Sequence, residues 1–307
     1  MDDKLRTGIW RLADPKISIT SAASMAIGAS VVAVESEIDW MWLIVTGLAF
    51  FCMEVAKNAW GDVFDYDSGT DLAVRPEDRT NFSGGKRVMV DKLLSRQQTW
   101  MVAFVFGAIG LLIGILIVVL REPLALWIGL AGLFLGWSYH GPPFQLIYRG
   151  LGELIVIIVY GPIIALSTYL IQSHRLSMDV FVLSVPLGIF IMAFLWVNEF
   201  PDHDADLSAG KRNLVVRLGR FRASRVLPVI YITGFLVLLI SPWITNLGSL
   251  IWGGFIAVPC AALATYWTWH NPEDFYRQKP VQPMALLTFV FYPVGVCIAL
   301  AAGSLVT

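Results

Sequence analysis

The sequence predicts an all-α polytopic membrane protein with nine transmembrane helices, and three observations carry that prediction. Of its 307 residues, 57% are hydrophobic and only 15% are charged, with a mean hydropathy of +0.68; a soluble domain carries about 25% charged residues. Nine apolar stretches approach the ~20 residues a helix needs to cross the hydrocarbon core. Nine crossings from a cytoplasmic N-terminus put 19 of the 22 Lys and Arg on the inner side, leaving Arg121 and Arg175 outside and Lys57 within a span. Basic residues concentrate on the cytoplasmic side of membrane proteins, and one missed span would invert every assignment after it.

The spans fall at about 17–35, 40–60, 98–120, 122–139, 151–171, 179–200, 226–243, 248–268 and 284–305. The opening MDDKLRTGIWRLADPK is polar and has no secretory pattern; the expected location is the plasma membrane, with the N-terminus and the long inner loops in the cytoplasm. Cys52, Cys260 and Cys297 lie in apolar segments without disulfide or metal spacing. A net charge of −1 gives no reason to expect a nucleic-acid partner. Outer connections are short, whereas the inner ones at about 62–97 and 202–225 are long and hold most of the charge. Long connections in a compact protein are commonly functional.

Those two loops carry matching constellations. Asn58, Asp62 and Asp65 correspond in kind and nearly in spacing to Asn198, Asp202 and Asp206, and each set leads to a Gly-Lys-Arg followed by apolar residues. The second and sixth spans also run in the same direction. A four-helix unit used twice, at about 17–139 and 149–268, with a last helix at 284–305, is therefore expected within a single membrane domain, 1–307. Spacings of four, seven and eight residues put each triplet along one helical stripe. Pro201 is expected to kink the second helix and open carbonyls toward the site.

Acids at a helix C-terminus oppose the helix dipole, so they call for a cation. Carboxylates and amide oxygens are hard ligands that suit Mg²⁺, which takes one or two carboxylates and completes its shell with water and substrate phosphates. Two facing stripes would hold Mg²⁺ around a diphosphate, with Arg79, Lys86, Arg87, Lys211 and Arg212 on the remaining phosphate oxygens. Asp71 is a secondary candidate. Glu77, Asp78, Asp204 and the arginines at 217–225 read as solvated loop.

The stretches NAWGDVFD and NEFPDHDADLSAGKRNLVVRLG resemble the two Asp-rich motifs of the UbiA superfamily of intramembrane prenyltransferases. Between them, YHGPPFQLIYRGLGELIVIIVYGP resembles the Tyr-containing loop of its menaquinone branch, the dihydroxynaphthoate prenyltransferases. The resemblance implies a nine-helix bundle around a central cavity capped by cytoplasmic loops. It also implies Mg²⁺-dependent transfer of a polyprenyl group from an allylic diphosphate to an aromatic quinone precursor. Asn58, Asp62, Asp65, Asn198, Asp202 and Asp206 would then hold Mg²⁺-diphosphate, and Arg79, Lys86 and Lys211 would contact the diphosphate. Tyr139 would stand near the allylic carbon, where an aromatic face stabilises positive charge; Asp202 and Asp62 complete the expected catalytic set. Asp202 or His140 would act on the acceptor hydroxyl, and Arg149 is the one basic residue in the Tyr loop. RTNFSGGKRVMVDKLL and YHGPP depart from the branch pattern and leave the acceptor open. A membrane terpene cyclase of the same superfamily would share these motifs. A cation-coupled transporter would instead be expected to keep its acids near mid-bilayer.

Overall fold

The computed structural model describes residues 3–304; the side chains of residues 15–17, Lys16 among them, and of residue 304, and position 305 of the last expected span lie outside the described residues. The chain runs through α1 (Asp3–Ala13), α2 (Pro15–Glu35), α3 (Trp40–Asp67), α4 (Thr70–Ala73), α5 (Arg96–Leu120) and α6 (Ala125–His140). A 3-10 turn at Leu146–Arg149 leads to α7 (Gly152–Ile158), a π-helical turn (Val159–Ile163), α8 (Ile164–Ser173) and α9 (Met178–Ser208). Then come α10 (Leu214–Leu218), α11 (Arg220–Ile240), a 3-10 stretch at Gly248–Ala257, α12 (Val258–His270), α13 (Phe275–Gln278) and α14 (Val281–Ser304). No strand occurs among the described residues, as expected of a bilayer protein that does not close a barrel.

Eight helical segments among the described residues are long and apolar enough to cross a membrane. The span expected at 122–139 corresponds to α6, whose 16 residues reach about 24 Å at 1.5 Å per residue, short of the ~30 Å hydrocarbon core.

The core is built around α9. Val180, Leu183, Leu187, Phe190, Ala193, Val197 and Phe200 are fully buried on it, and a helix apolar on every side must be enclosed by others. It packs against α2, α7, α11, α14 and the π-helical turn, while α3 pairs with α5 beside this group. On α5, Phe104, Leu112 and Val119 stay exposed, a face fit for acyl chains. Gly188 lets α7 and the π-helical turn come close: a Cβ there would lie 2.4 Å from the Ile157 carbonyl oxygen and 3.1 Å from Gly161 Cα, the small-residue contact typical of membrane helices.

Both site-bearing helices outrun their apolar stretches. Rather than stopping near 60 and 200, α3 continues to Asp67 and α9 to Ser208, because backbone hydrogen bonding does not end where hydropathy does. The second inner loop is largely helical, since α9 covers its start and α10 and α11 most of the rest. Pro186 and Pro201 both lie within an uninterrupted α9, so Pro201 does not divide it; the adjacent Phe200 carbonyl accepts from Arg220 Nε at 3.3 Å. Glu77 and Asp204 are exposed, as expected of solvated loop. Asp78 is not: it is buried and paired with Arg75 and Arg277. The arginines differ from a purely solvated face too, with Arg225 stacked 3.7 Å from the Trp269 ring centroid and Arg220 3.1 Å from Asp204.

Candidate active site

The ends of α3 and α9 meet at a cavity of about 610 Å³. Ser68 caps α3, and Gly69 at φ +83° turns the chain into α4, which delivers Asp71. Gly210, at φ +75°, follows the end of α9. The first inner loop then folds over the cavity. Thr80 Oγ1 accepts from the backbone N–H of Phe82 (3.2 Å) and Ser83 (3.1 Å), a tight turn of the kind hydroxyl side chains favour. It is followed by Gly84 and Gly85 in the left-handed region, at φ +82° and +72°. Gly84 N–H donates to Asp202 Oδ2 at 3.0 Å, and a Cβ on Gly85 would lie 2.3 Å from Asp71 Oδ1. Glycine is required there both by φ and by space.

Asn58, Asp62, Asp65, Asp71, Lys86, Tyr139, His140, Asn198, Asp202, Asp206 and Lys211 all line this one cavity. Arg79, Arg149 and Arg212 do not: all three are exposed, and Arg149 Nη2 donates to the Pro143 carbonyl. Asp65 is the most heavily engaged acid. It accepts from Tyr148 Oη (3.1 Å), lies 3.3 Å from Lys211 Nζ, and is 3.7 Å from His140 Nε2. Asp206 accepts from Asn213 Nδ2 at 2.8 Å and stands 3.6 Å from Lys211 Nζ. Lys86 pairs with Asp14. Asn58 Nδ2 donates to the Leu12 carbonyl at 2.9 Å, which turns its amide nitrogen toward α1.

Several oxygens remain buried without a hydrogen-bond partner: Asp62 Oδ1, Asp71 Oδ2, Asn198 Oδ1, Asp202 Oδ1 and Asp206 Oδ1. Asp206 Oδ1 still has the Lys211 ammonium 3.6 Å away, but a buried polar atom left unpaired costs about 1–3 kcal/mol, so the other four lining one cavity describe a surface built for a ligand. Beyond the membrane-spanning helices, burial and the nearby carboxylates of Asp65 and Asp62 hold Asp71 well above its usual range. Burial opposes the charge on Lys211, yet Asp206 and Asp65 hold its pKa well above normal. Burial and Asp65 push the Tyr148 phenol up to about 12.

The donor chemistry suits Mg²⁺. Among the described residues no three His, Cys, Asp or Glu side chains are drawn together as a closed cage. Mg²⁺ does not need one, because it keeps waters and substrate phosphates around one or two carboxylates.

Sequence reasoning passed over four residues of this site. Asn213, fully buried, caps α10 by accepting from Val216 N–H at 2.8 Å while its amide nitrogen holds Asp206. Glu153 accepts from Leu214 N–H at 2.5 Å and fixes the same turn. An Asn before the apolar run LVV is a helix-start signal, so Asn213 was legible in principle. Glu199 lines the cavity with both carboxylate oxygens buried and unpaired. Lys57 lines it from within a span, where an ionisable residue is by itself a functional signal.

Gly61 and Gly152 complete the Tyr139–His140 corner. A Cβ on Gly61 would lie 2.9 Å from His140 Cε1, and one on Gly152 would lie 3.1 Å from Tyr139 Cε2. The glycines of GDVFD and GLGE thus make room for the two rings.

The comparisons with known proteins agree with this fold. The profile described as the UbiA prenyltransferase family matches residues 21–292. The chain is 33% identical over 221 residues to a 2-carboxy-1,4-naphthoquinone phytyltransferase of Synechocystis sp., covering 66% of this chain and 67% of the relative. It is 22% identical over 243 residues to a 1,4-dihydroxy-2-naphthoate octaprenyltransferase of Bacillus subtilis, covering 77% and 76%. Its fold is similar to that of a UbiA homolog from Archaeoglobus fulgidus bound to GPP and Mg²⁺, with a TM-score of 0.62, 13% identity, and coverage of 95% and 99%. With a multi-pass helical fold and an acid-lined cavity in place, the chain belongs to the UbiA prenyltransferase family and is a prenyltransferase.

Proposed function

We propose that the protein transfers a polyprenyl group, in a Mg²⁺-dependent reaction within the membrane, from an allylic polyprenyl diphosphate to an aromatic quinone precursor of the 1,4-dihydroxy-2-naphthoate type, a step of menaquinone biosynthesis. The observation that carries it is one cavity with two kinds of lining. Unpaired acid and amide oxygens from α3 and α9 line it together with Lys211 and Lys86, and Val156, Ile191, Phe194 and Leu195 add apolar wall. The naphthoate acceptor named for the Bacillus subtilis relative and the GPP and Mg²⁺ bound by the archaeal homolog support the same choice.

The chemistry follows from these groups. Asn58, Asp62, Asp65, Asn198, Asp202 and Asp206 would hold Mg²⁺, which supplies positive charge to the leaving diphosphate. Lys211 and Lys86 add ammonium charge where negative charge develops, the largest single contribution in reactions of this kind. The apolar wall excludes water from the allylic cation. Tyr139 offers its ring to that cation, and Lys57 Nζ lies 5.4 Å from the ring centroid. His140, whose Nδ1 is buried and unpaired, and Asp202 Oδ1 are the proton acceptors for the ring hydroxyl.

The finer architecture belongs to the same proposal: one membrane domain of nine spans, with α6 as the short fourth. Two four-helix repeats are followed by a last helix, in a plasma-membrane protein whose N-terminus and Asp-rich loops face the cytoplasm. The basic-residue distribution supports that orientation.

A product assay on membranes containing the protein tests the function. Mg²⁺ and radiolabelled geranylgeranyl diphosphate are supplied with and without 1,4-dihydroxy-2-naphthoate, beside Asp202→Ala. A prenylated product that needs both naphthoate and Asp202 supports transfer. A labelled hydrocarbon or alcohol formed without acceptor identifies a cyclase instead. No consumption across a panel of acceptors and chain lengths would overturn the enzyme and favour a transporter.

A further inference from the structure

Lys57 stands apart from the other cations of the cavity. It lies on α3 five residues before Asp62, about 7.5 Å further into the membrane at 1.5 Å per residue. Lys211 is engaged by Asp65 and Asp206, and Lys86 by Asp14. Among the described residues no carboxylate lies within the 4.0 Å ion-pair distance of Lys57. Glu54, one helical turn away, accepts instead from Ser21. The contact Lys57 does make is with Tyr139, its ammonium 5.4 Å from the ring centroid. An ionisable side chain within a span is costly and is kept for a ligand or a pathway.

We infer that Lys57 binds the carboxylate of an aromatic acid acceptor and thereby selects acids over neutral phenols; this rests on the transfer function proposed above. With the diphosphate head at the Asp-bearing helix ends, the allylic carbon lies deeper, toward Lys57 and Tyr139. Tyr160, Val156 and Ile191 line the same cavity and give an aromatic and aliphatic wall on which a flat ring can lie. Lys57 then holds the ring by its acid group, with either the carboxyl-bearing carbon, which would lose CO₂, or its C–H neighbour, which would lose H⁺, toward the allylic centre. The step balances without an oxidant. A ring carbon contributes its electron pair to the new bond to C1 of the prenyl group, and the C1–O pair leaves with the diphosphate. The same ring carbon then loses H⁺ or CO₂, and that bond's electron pair returns to the ring. Where CO₂ leaves, the product no longer carries the group that Lys57 holds, which favours its release.

The test compares Lys57→Met and Lys57→Arg with the unaltered protein in membranes, with Mg²⁺ and geranylgeranyl diphosphate. The readout is the ratio of kcat/KM for 1,4-dihydroxy-2-naphthoate over that for 1,4-naphthalenediol under reducing conditions. Loss of one charged hydrogen bond lowers that ratio by about 10-fold or more in Lys57→Met, and Lys57→Arg restores most of it. An equal fall with both acceptors, leaving the ratio unchanged, overturns the inference, because packing alone would do that. A rise confined to the KM of the prenyl diphosphate also overturns it and moves Lys57 to the diphosphate. Should Lys57→Met fail to accumulate, inhibition of the unaltered protein by 2-naphthoate against 2-naphthamide reads the same contact; equal inhibition overturns it. If the unaltered protein consumes diphosphate but prenylates neither ring, the transfer function itself has failed, a result separate from any change in ratio.

Discussion

Lys211 Nζ lies 3.3 Å from Asp65 on α3 and 3.6 Å from Asp206 on α9, so one buried ammonium joins acids contributed by the two Asp-rich motifs. Under the proposed function a diphosphate and its cations bind at this position, and Lys211 adds positive charge there. Removing one partner of a buried ion pair costs about 3–5 kcal/mol, because the remaining charges are left uncompensated. Lys211→Met is therefore expected to lose roughly 3 kcal/mol of stability in chemical unfolding in detergent without Mg²⁺. Added Mg²⁺ with a non-hydrolysable prenyl diphosphate should restore part of that loss. Unchanged unfolding would mean that Lys211 does not bridge the two acids.

Asp202 differs from Asp65 in keeping an oxygen unpaired: Oδ2 accepts from Gly84, while Oδ1 is buried without a partner. Asp202→Ala is expected to lower kcat by about 10²–10³-fold, the usual effect of losing one electrostatic contact to developing charge. Asp204, two residues on and exposed, serves as the control. Asp204→Ala should stay within about 2-fold, since surface changes rarely exceed 0.5 kcal/mol. Chelating divalent ions with EDTA should stop turnover, and Mg²⁺ should restore it. Equal effects of the two aspartate variants would remove Asp202 from the site.

Gly85 is expected to be intolerant of even a methyl group. Its φ of +72° costs an L-residue about 1–2 kcal/mol, and a Cβ would stand 2.3 Å from Asp71 Oδ1. Gly85→Ala should raise the KM for prenyl diphosphate by ~10-fold or more by lifting the loop that brings Gly84 N–H to Asp202. Gly210, also at positive φ but with nothing within 4 Å of where a Cβ would stand, separates strain from crowding. Gly210→Ala should cost a similar stability of about 1 kcal/mol with a smaller change in KM.

How much of this was legible follows from the kind of signal each feature leaves. Eight of the nine expected spans, and the gathering of both acid triplets at one cavity, were legible because hydropathy and helical spacing are local properties of the chain. The reach of α3 to Asp67 and α9 to Ser208 was not, because the apolar signal stops before the helix does. Asp78 reads as solvated loop, since its partner Arg277 lies 199 residues away and no local pattern announces so distant a pairing. The exposure of Arg79 and Arg212 was hidden for the converse reason: residue type suggests phosphate binding, while side-chain direction depends on the fold around it. Lys57 is visible as a charge inside a span, but nothing near it along the chain says that its ammonium faces Tyr139.

The Asp78 clasp gives the last expected outcome, and its sign can be worked through. Asp78 accepts from Arg277 Nη2 (2.5 Å), Arg75 Nε (2.7 Å) and Tyr276 Oη (3.0 Å), tying the first inner loop to α13. Burial pushes its carboxyl up, but the hydrogen bonds from Arg277, Arg75 and Tyr276 outweigh that and hold it below its ordinary value of 3.8. A carboxyl whose pKa is lowered by folding binds protons more readily in the unfolded chain, so its stabilisation is complete above about pH 4 and fades as pH falls through the folded value. Asp78→Asn should remove about 2 kcal/mol at neutral pH, the size of a charged hydrogen bond. The difference between the unaltered protein and Asp78→Asn should stay constant from about pH 5 to 8 and shrink below about pH 4. Unfolding in detergent across that range checks it. A difference that grew as pH fell would show that the carboxyl is destabilised by folding and that burial outweighs the two arginines.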